Sequence, residues 1–373
     1  MRIGVDARCL EWKEGGPARY LVNMLKLWPE MNQKHEYVLF FQNYIPDFDF
    51  LRHERFELVL MKGPGFLKTR RIVGEQVLMP SHIRKSKIDL FFTPWYSAPL
   101  AKCCPKKVVG LWDVSAASHP THYSILEKIS FGFFSPVSCR QSDGVITCSA
   151  YDARQIVKYY RIPSEKIQVV HYAADDKFQP AEDPAQLENF RRKYNFPLKY
   201  ILYMGIIITR RNVDVIIDAF SDIQNAFPDV GLVVVGRNAT NPYIDIEEKM
   251  KPLIEDGRGF YFVRAPEEDV ADFYRGAWYY MSTSTTDGES LMLKEAQKCG
   301  TPIVTSPLLK ETVGGYAVIL EDPTDQKQTA NVLRRVIPDQ ALRDQLAEEG
   351  KKWMATHSWE KVAQQCLEFM ESR

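Results

Sequence analysis

Two series of short apolar runs, separated by residues with helical periodicity, limit the folds open to this chain more than any other feature. The first series predicts strands at residues 1–6, 37–41, 56–61, 90–93, 107–111 and 144–147. The second series predicts strands at residues 200–205, 230–236, 259–263, 278–282, 302–306 and 317–320. Strands that alternate with helices form mostly parallel sheets with helices on both faces. We therefore predict an α/β protein built from two Rossmann-like, doubly wound domains.

The predicted boundary between the two domains lies in a polar stretch at residues 175–188, which contains two prolines. A chain of 373 residues is also longer than one core usually supports. We assign residues 1–178 to an N-terminal domain and residues 179–355 to a C-terminal domain. Residues 356–373 carry apolar side chains with helical spacing, and we predict a terminal helix that returns to the N-terminal domain.

Charge and cysteine content exclude several classes of protein. The 48 basic residues balance the 48 acidic residues without blocks of like charge, so we expect no nucleic-acid partner. The seven cysteines include no CxxC pair, which argues against a disulfide framework and a zinc site. The N-terminus lacks the pattern of a signal peptide, and the sequence has no run of about 20 apolar residues. We expect a cytoplasmic protein that is neither secreted nor embedded in a membrane.

Familiar nucleotide and metal motifs are missing from the sequence. It contains no GxGxxG, no GxxxxGKS/T and no HExxH pattern. The acidic pair at residues 47–49 lies in a loop-like stretch, and we interpret it as part of a turn. We therefore predict no metal site and no cofactor.

Two arginines follow the first predicted strand of the C-terminal domain. Gly205 ends that strand, and the residues IIITRRN lead from it to a predicted helix at residues 213–220. Arg210 and Arg211 thus lie where polar groups face the ligand crevice of a doubly wound sheet. Helix N-termini and guanidinium groups both bind phosphate oxygens, so the segment is suited to an anion. A solvated arginine pair is the alternative interpretation.

A second polar segment lies between the predicted strand at residues 278–282 and a helix that starts near residue 290. The backbone N–H groups of the intervening turn can cradle a diphosphate. That turn consists of Gly288, Glu289, Ser290 and Leu291. Glu295, about one and a half turns into the helix, is placed to accept hydrogen bonds from ribose hydroxyls. Acidic capping by Asp287, with Glu295 on the surface, is the alternative without a ligand.

Together these segments resemble the retaining GT-B glycosyltransferases of family 4, also described as glycosyl transferases group 1. The family's first strand and glycine-rich loop are matched by MRIGVDARCL and GGPARY. A segment of one subgroup is matched by RRIVGEQVLMP and DLFFTPWYSAPL, and the run into the linker by SDGVITCSAYDARQIVKYYRIPSEKIQVVHYAADDKFQP. The resemblance covers nearly the whole chain. It implies two Rossmann-like domains facing each other across a cleft, with the nucleotide-sugar donor bound by the C-terminal domain and the acceptor mainly by the N-terminal domain.

For the donor site, the resemblance assigns the diphosphate to Arg211, which replaces the more usual Lys, with Arg210 beside it. The family's paired acids, with seven residues between them, fall on Asp287 and Glu295. Glu295 is implied to bind the ribose and Asp287 to orient the donor sugar, so that Arg211 and Asp287 count among the catalytic residues. Further donor contacts are implied for Gly16, Gly205, Gly236, Arg237, Val263 and the turn Gly288, Glu289, Ser290 and Leu291.

Trp112 stands where the family usually has a histidine, directly before Asp113, the third residue implied in catalysis. The resemblance also places Trp112 and Arg19 in the acceptor or sugar pocket. Trp can donate a hydrogen bond but cannot accept a proton, so Trp112 either reshapes the pocket or weakens catalysis. His119 and His122 follow, and we interpret them as loop residues. Retaining transfer in this family is thought to need no protein nucleophile, because the departing phosphate receives the acceptor's proton.

The resemblance implies a glycan or lipid-linked acceptor, in the assembly of cell-surface polysaccharide or glycolipid. Basic and apolar residues alternate in the segment at residues 62–87, a composition suited to an anionic membrane surface. We therefore consider peripheral contact with the inner face of the membrane. A solvated helix beside the acceptor cleft is the alternative interpretation.

Two competing functions share this architecture. A catalytically weakened GT-B protein that binds a nucleotide or acts as a scaffold is suggested by Trp112, by Asp287 and by Ile206, which stands where many relatives have Arg. A nucleotide-sugar epimerase or a phosphorylase is the other alternative, and the second polar segment argues against it.

Overall fold

The computed structural model of the chain describes residues 1–12, 15–64, 71–118, 120, 123 and 125–373. These residues form two units, Met1–Tyr172 with Ser358–Arg373, and Ala173–His357. The first unit ends before the predicted boundary at residue 178, because Ala174 and Phe178 are buried in a core of the second unit. The C-terminal helix belongs to the first unit, where Trp28 Nε1 donates to the Ala363 carbonyl at 3.2 Å.

In the described part of the first unit, seven parallel strands form one sheet in the order β3-β2-β1-β4-β5-β6-β7. The strands are β1 Arg2–Asp6, β2 Glu36–Phe41, β3 Phe56–Leu60, β4 Leu90–Thr93, β5 Lys106–Gly110, β6 Gly144–Thr147 and β7 Ile167–Val169. The first six lie within a residue of the predicted runs. The apolar pattern missed β7, because this short strand at the sheet edge is only half-buried.

The second unit repeats the arrangement, with six parallel strands in the order β10-β9-β8-β11-β12-β13 among its described residues. The strands are β8 Lys199–Met204, β9 Val230–Val235, β10 Gly259–Phe262, β11 Tyr279–Ser282, β12 Ile303–Thr305 and β13 Val318–Ile319. All six lie within a residue of the predicted bounds. The predicted fold class, two parallel Rossmann-like sheets with helices on their faces, is confirmed.

Helices connect the strands of both sheets. In the first unit they are α1 Gly16–Met31, α2 Arg71–Val73, α3 Met79–Ser86, α4 Ser115–Ser118, α5 Ile125–Ile129, α6 Ser135–Gln141 and α7 Ala150–Tyr160, with π-helical turns at Gly74–Leu78 and Ser130–Phe134. In the second unit they are α8 Pro184–Tyr194, α9 Val213–Ser221, α10 Ile246–Glu255, α11 Val270–Gly276, α12 Leu291–Lys298, α13 Gln326–Val336 and α14 Gln340–Met354. The terminal helix is α15 Trp359–Glu371. Within the described ranges, none of these helices is both long and apolar enough to cross a bilayer.

The central strands of the second sheet are buried on both faces, which explains their continuous apolar sequence. In β8, Ile201 and Tyr203 point into one core, whereas Leu202 and Met204 point into the other. This alternation follows from the two-residue repeat of a strand. The fold therefore needs apolar residues at nearly every position of β8 and β9, and the polar residues are left for the loops beyond the strand ends.

Both sheets reverse their strand order at one place, between β1 and β4 in the first unit and between β8 and β11 in the second. At such a switch point the connecting segments diverge and leave a crevice beyond the carboxyl ends of the strands. Asp6 and Thr93 lie at this edge in the first unit. Met204 and Ser282 lie there in the second unit.

Candidate functional site

The two polar segments of the second unit meet at the switch point between β8 and β11. The backbone N–H of Thr285 donates to the Arg210 carbonyl at 2.9 Å. The Asn212 side chain donates to the Thr283 carbonyl at 2.7 Å, and the Thr283 hydroxyl donates to the Arg211 carbonyl at 2.7 Å. These bonds fix the arginine loop against the segment that follows β11. The structure thus joins the two regions that the sequence singled out separately.

Two guanidinium groups face one carboxylate at this crevice. Arg211 Nη2 lies 3.2 Å from Asp287 Oδ2, and Arg210 Nη2 lies 3.9 Å from Asp287 Oδ1. The three side chains are only 15–17% exposed. Burial by itself would lower the pKa of Arg211, but Asp287, Tyr203 and Tyr280 together outweigh it, and the pKa of Arg211 is raised. Arginine side chains stay protonated in proteins, so the cluster of these three side chains carries a net positive charge.

Glycines let the arginine loop approach the neighbouring strand end. A Cβ on Gly205 would lie 3.0 Å from Arg211 Nη1, and a Cβ on Gly236 would lie 1.9 Å from the Gly205 carbonyl oxygen. Arg211 Nη1 also donates to the Ile206 carbonyl at 3.1 Å. The loop after β8 is thus held by backbone contacts that a side chain at either glycine would disrupt. These contacts orient Arg211 before any ligand binds.

Glu295 lies on α12, and its side chain is buried beneath the crevice, with the residue 2% exposed. The Tyr274 hydroxyl donates to Glu295 Oε2 at 2.9 Å. Tyr274 is itself buried on α11. This hydrogen bond restrains the carboxylate on one side. Nothing in the sequence pattern indicated Tyr274, because it lies on another helix and meets Glu295 only in the folded unit.

The turn before α12 combines buried charge with backbone donors. Glu289 and Lys294 form an ion pair at 2.8 Å, and both side chains are fully buried. The Glu289 side chain therefore stabilises the turn, and its predicted contact with a donor is left to its backbone. Ser290 precedes α12, and in the described structure its side chain makes no capping hydrogen bond to the helix. The Thr286 hydroxyl is buried and has no hydrogen-bond partner among the described residues.

Three further predicted residues lie at the same edge of the second sheet. Gly236 and Arg237 follow β9, and Val263 follows β10. Arg237 is exposed, and Val263 is 55% exposed. Ile206, in the arginine loop, is 48% exposed although it is apolar. The edge thus presents two exposed apolar side chains together with the cationic cluster, as a site for a nucleotide with a flat base and charged phosphates would require.

In the first unit, Asp113 follows β5 and is held by its neighbours. The Tyr96 hydroxyl donates to Asp113 Oδ2 at 3.1 Å, and the Ser115 backbone N–H donates to Asp113 Oδ1 at 2.8 Å. The Ser115 hydroxyl bonds both Asp113 and the Tyr123 hydroxyl. These residues line a cavity of about 80 Å³. Asp113 thus anchors the wall of a pocket, and its predicted catalytic role stays a prediction.

Trp112 is almost fully buried in the first unit, and its predicted place in the acceptor or sugar pocket stays a prediction. The side chain is 5% exposed, and its Nε1 donates to the Pro94 carbonyl at 2.6 Å. Its ring lies 4.8 Å from Tyr20 and 5.4 Å from Tyr172. The large ring packs in an aromatic core. Burying an aromatic side chain among other rings contributes more to folding than placing it in a polar pocket would. The tryptophan therefore packs as a core residue of the first unit.

The other predicted residues of the first unit lie near α1 or outside the described ranges. Gly16 begins α1 directly after Gly15, whose φ of 95° favours glycine, and Arg19 is half-buried on the same helix. Their contacts with donor and acceptor stay predictions. His119 and His122 lie outside the described residues.

The segment at residues 62–87 is described only in part, because residues 65–70 are not covered. Arg71 does not face solvent as a membrane-binding residue would. Its guanidinium packs 5.1 Å from the Trp95 ring and donates to the Trp95 carbonyl at 2.8 Å. Leu78 is buried, whereas Arg84 and Lys85 are exposed. Fewer side chains of this segment are therefore exposed for membrane contact than its sequence suggested.

Sequence reasoning missed a buried ionic network at the switch point of the first sheet. Arg8 binds Asp6 through both ends of its guanidinium, at 2.8 and 2.7 Å, and lies 3.0 Å from Glu75. Burial would raise the pKa of Asp6, but the charge and hydrogen bonds of Arg8, together with the charge of Arg71, outweigh it, and the pKa of Asp6 is lowered. The sequence contained one signal for this network. Asp6 and Arg8, in the residues DAR, come at the end of an apolar strand, where a buried charged side chain needs a partner.

Comparison with known proteins gives family matches to both halves of the chain. The model described as "Glycosyl transferases group 1" matches residues 187–353, and "Glycosyltransferase Family 4" matches residues 14–178. A mannosylfructose-phosphate synthase of Agrobacterium fabrum is 25% identical over 245 residues, which are 63% of this chain and 54% of that protein. An O-antigen chain mannosyltransferase B of Escherichia coli is 24% identical over 234 residues, 60% of this chain and 59% of that protein. The chain thus spans less than two thirds of the length of these relatives.

Solved structures share the fold over the whole chain. WaaG, a glycosyltransferase involved in lipopolysaccharide biosynthesis, superposes with a TM-score of 0.76 at 16% identity and covers 99% of both chains. The Anabaena protein Alr3699/HepE in complex with UDP superposes with a TM-score of 0.74 at 15% identity and covers 100% of both chains. With two Rossmann-like sheets and a family match to each half, the chain belongs to family 4 of the GT-B glycosyltransferases.

Proposed function

We propose that this protein is a retaining glycosyltransferase that moves a sugar from a nucleotide-diphosphate donor to a glycan or lipid-linked acceptor. One observation carries the proposal. At the switch point of the second sheet, Arg210 and Arg211 share the carboxylate of Asp287, so these three side chains give the crevice an excess of positive charge. A diphosphate supplies the missing negative charge in the place where doubly wound sheets bind nucleotides.

The proposed roles follow from position. Arg211, fixed by Asp287 and the Ile206 carbonyl, contacts the diphosphate, and Arg210 contributes a second charge. The N–H groups of the turn before α12 add backbone donors. Glu295, fixed by Tyr274, accepts hydrogen bonds from the ribose.

Asp287 orients the donor sugar in this proposal, with help from the buried Thr286 hydroxyl beside it in the chain. That hydroxyl lacks a protein partner among the described residues, and a buried polar group without a partner is costly. A sugar or phosphate oxygen would supply the partner. The ion pair with Arg211 keeps the Asp287 carboxylate in place until the donor arrives.

Catalysis then consists of positioning and charge stabilisation. Negative charge develops on the leaving diphosphate in the transition state, and the two guanidinium groups lie preorganised to stabilise it. In this proposal the arginines replace the charge that a metal ion supplies in other transferases, and no cofactor is needed. The departing phosphate accepts the proton of the attacking hydroxyl.

The comparisons support a nucleotide-sugar donor and an acceptor in surface glycan assembly. Alr3699/HepE was crystallised with UDP, WaaG is involved in lipopolysaccharide biosynthesis, and the Escherichia coli relative is a mannosyltransferase of the O-antigen chain. We propose an acceptor of that kind, with the protein in the cytoplasm and in peripheral contact with the inner face of the membrane. Among the described residues of the segment at residues 62–87, Lys62, Arg84, Lys85 and Lys87 are exposed basic residues available for that contact.

A panel of nucleotide sugars tests the proposal. The protein is incubated with each donor, with and without a mixed extract of cell-surface glycans and glycolipids, and nucleotide release and product mass are followed. The expected result is acceptor-dependent release of one nucleotide and a product with retained anomeric configuration in the NMR spectrum. Tight nucleotide binding without transfer to any acceptor would instead support the catalytically weakened alternative.

A further inference from the structure

A buried tyrosine lies directly behind the arginine loop of the second unit. Tyr203 is the last residue but one of β8 and is 2% exposed. Its ring packs in the core of the unit, where a phenylalanine would fill almost the same volume. A buried tyrosine hydroxyl needs a hydrogen-bond partner, so a tyrosine in this apolar strand points to a polar contact at this place. That contact is made with the arginine loop.

The Tyr203 hydroxyl and Arg211 bond the same backbone carbonyl. The hydroxyl donates to the Ile206 carbonyl at 3.1 Å, and Arg211 Nη1 donates to the same oxygen at 3.1 Å. A carbonyl oxygen has two lone pairs and can accept both bonds at once. At the other end of the same peptide group, the Ile207 N–H donates to the Arg237 carbonyl at 3.0 Å. The peptide group between Ile206 and Ile207 is therefore held at both its oxygen and its N–H.

This carbonyl is one of two anchors that set the plane of the Arg211 guanidinium. Nη1 is bonded to the Ile206 carbonyl, and Nη2 lies 3.2 Å from Asp287 Oδ2. A guanidinium is rigid and planar, so two anchored corners fix the direction of all its N–H groups. Asp287 is shared with Arg210, whereas the Ile206 carbonyl belongs to the arginine loop itself. The Tyr203 hydroxyl, which bonds that carbonyl, thus restrains Arg211 from the side of the core.

The surroundings of Tyr203 keep its hydroxyl a hydrogen-bond donor. Burial raises the pKa of Tyr203, although the charge of Arg211 and a hydrogen bond between the two side chains act in the opposite direction. The phenol is therefore neutral near pH 7 and carries the proton that the Ile206 carbonyl accepts. Gly205 leaves room for this arrangement, since a Cβ there would lie 3.7 Å from the Tyr203 hydroxyl and 3.0 Å from Arg211 Nη1.

We propose that Tyr203 is a positioning residue of the diphosphate site, which acts by holding the Ile206 carbonyl that anchors Arg211. The inference rests on the proposed function and extends it to a core residue that does not itself touch the ligand. A preorganised charge needs no reorganisation when the diphosphate binds. Without the hydroxyl, the carbonyl and the guanidinium gain freedom that diphosphate binding must then remove. Loss of the hydroxyl should therefore weaken binding of the diphosphate and not of the nucleoside.

Matched ligands test the proposal. Affinities for UDP, GDP and ADP are measured by calorimetry, and the one that binds most tightly is compared with its own nucleoside, measured by ligand-observed NMR. We expect Tyr203→Phe to weaken binding of the nucleoside diphosphate roughly two- to tenfold, the range of one hydrogen bond, and to leave the affinity for the nucleoside unchanged. Equal weakening of both ligands, or an unchanged affinity for the diphosphate, would overturn the proposal.

A double-mutant cycle determines whether the hydroxyl acts through Arg211. In the Arg211→Ala background, Tyr203→Phe should have no further effect on the affinity for the diphosphate, because the group that the hydroxyl positions is gone. The same loss in both backgrounds would give Tyr203 a role independent of Arg211 and would contradict the proposal. A variant with 4-aminophenylalanine at position 203 restores a hydrogen-bond donor and should recover most of the wild-type affinity.

Tyr279→Phe is the matched control for stability. Tyr279 is fully buried at the start of β11, at the end of the strand away from the crevice, and its hydroxyl donates to the Val336 carbonyl at 3.2 Å. This variant should lose a similar amount of stability and keep its affinity for the diphosphate, and a loss of affinity in both variants would make destabilisation the cause. Binding that depends on Arg211 and not on Tyr203 would defeat only this inference, whereas a failure of every nucleoside diphosphate to bind the wild type would defeat the proposed function.

Discussion

The switch points of the two sheets have the same topology but differ in the charge and exposure of their side chains. In the first unit, Arg8 is enclosed by Asp6 and Glu75, with side chains 3% exposed or less. In the second unit, Arg210 and Arg211 share one carboxylate and stay 15–17% exposed. One crevice thus contains a closed ion-pair network and the other an open cationic cluster.

The charge count explains the difference. Arg71 adds a second cation to the first network and lies 3.6 Å from Glu75, so two cations meet two carboxylates and the sum is zero. In the second unit Arg210 and Arg211 share Asp287, and these three side chains sum to +1, while Glu295 is bonded separately to Tyr274. A buried network that is neutral is costly to break and leaves no net charge for a ligand, whereas two partly exposed guanidinium groups around one carboxylate suit an anion. The topology provides two crevices, and the proposed donor site is the one with the cationic cluster.

The largest expected effect tests the closed network. Arg8→Ala leaves Asp6 and Glu75 buried without their shared cation and should lower the free energy of unfolding by about 3–5 kcal/mol. Hydrogen exchange of the β1 amides measures it. Arg2→Ala, which removes an ion pair with the partly exposed Glu36, is the control and should cost far less. Equal losses in the two variants would show that the network is not a structural element.

The next effect tests the open cluster. Arg211→Ala should lower turnover roughly 10²–10³-fold, because a preorganised charge on the leaving diphosphate is lost. The free energy of unfolding should change little, unlike that of Arg8→Ala. Steady-state kinetics with the donor found in the panel measure the turnover, and Arg335→Ala, at an exposed position on α13, is the control. Unchanged turnover and nucleotide affinity would remove Arg211 from the site.

Glu295 and its support should give a smaller, graded effect on binding. Glu295→Ala should weaken nucleotide affinity roughly 10–100-fold, through lost hydrogen bonds to the ribose. Tyr274→Phe removes the hydrogen bond that holds the Glu295 carboxylate. This substitution should weaken nucleotide affinity by no more than about tenfold. Calorimetric titration with UDP ranks the two variants. A 2′-deoxy nucleotide should lose affinity for the wild type and not for Glu295→Ala, and the reverse pattern would exclude ribose contact.

The smallest effect concerns the aromatic core of the first unit. Trp112→Phe keeps an aromatic ring but removes the hydrogen bond to the Pro94 carbonyl, and it should lower the free energy of unfolding by about 1–2 kcal/mol. Nucleotide affinity and the preference among donor sugars should stay the same. Urea denaturation and the donor panel measure these quantities. A changed donor preference would return Trp112 to the sugar pocket.

Much of the proposed donor site could be located from the sequence because its parts are local. Arg211 lies between β8 and α9, and the turn before Glu295 lies between β11 and α12. β11 is the neighbour of β8 in the sheet. The geometry of a parallel sheet brings two such segments to one edge. Tyr274 and the partner of Glu289 could not be predicted in this way, because each contact depends on how a helix packs.

The sequence by itself determined the two sheets, the bounds of every described strand except β7, and the polar segments beyond the strand ends, because hydrophobic periodicity and turn residues act over a few positions. Only the tertiary structure decided which charged and aromatic residues are buried. Trp112, expected beside a sugar, lies in a core, whereas Phe133, with no predicted role, lies exposed. Burial depends on contacts between residues far apart in the chain, and local patterns do not specify those contacts.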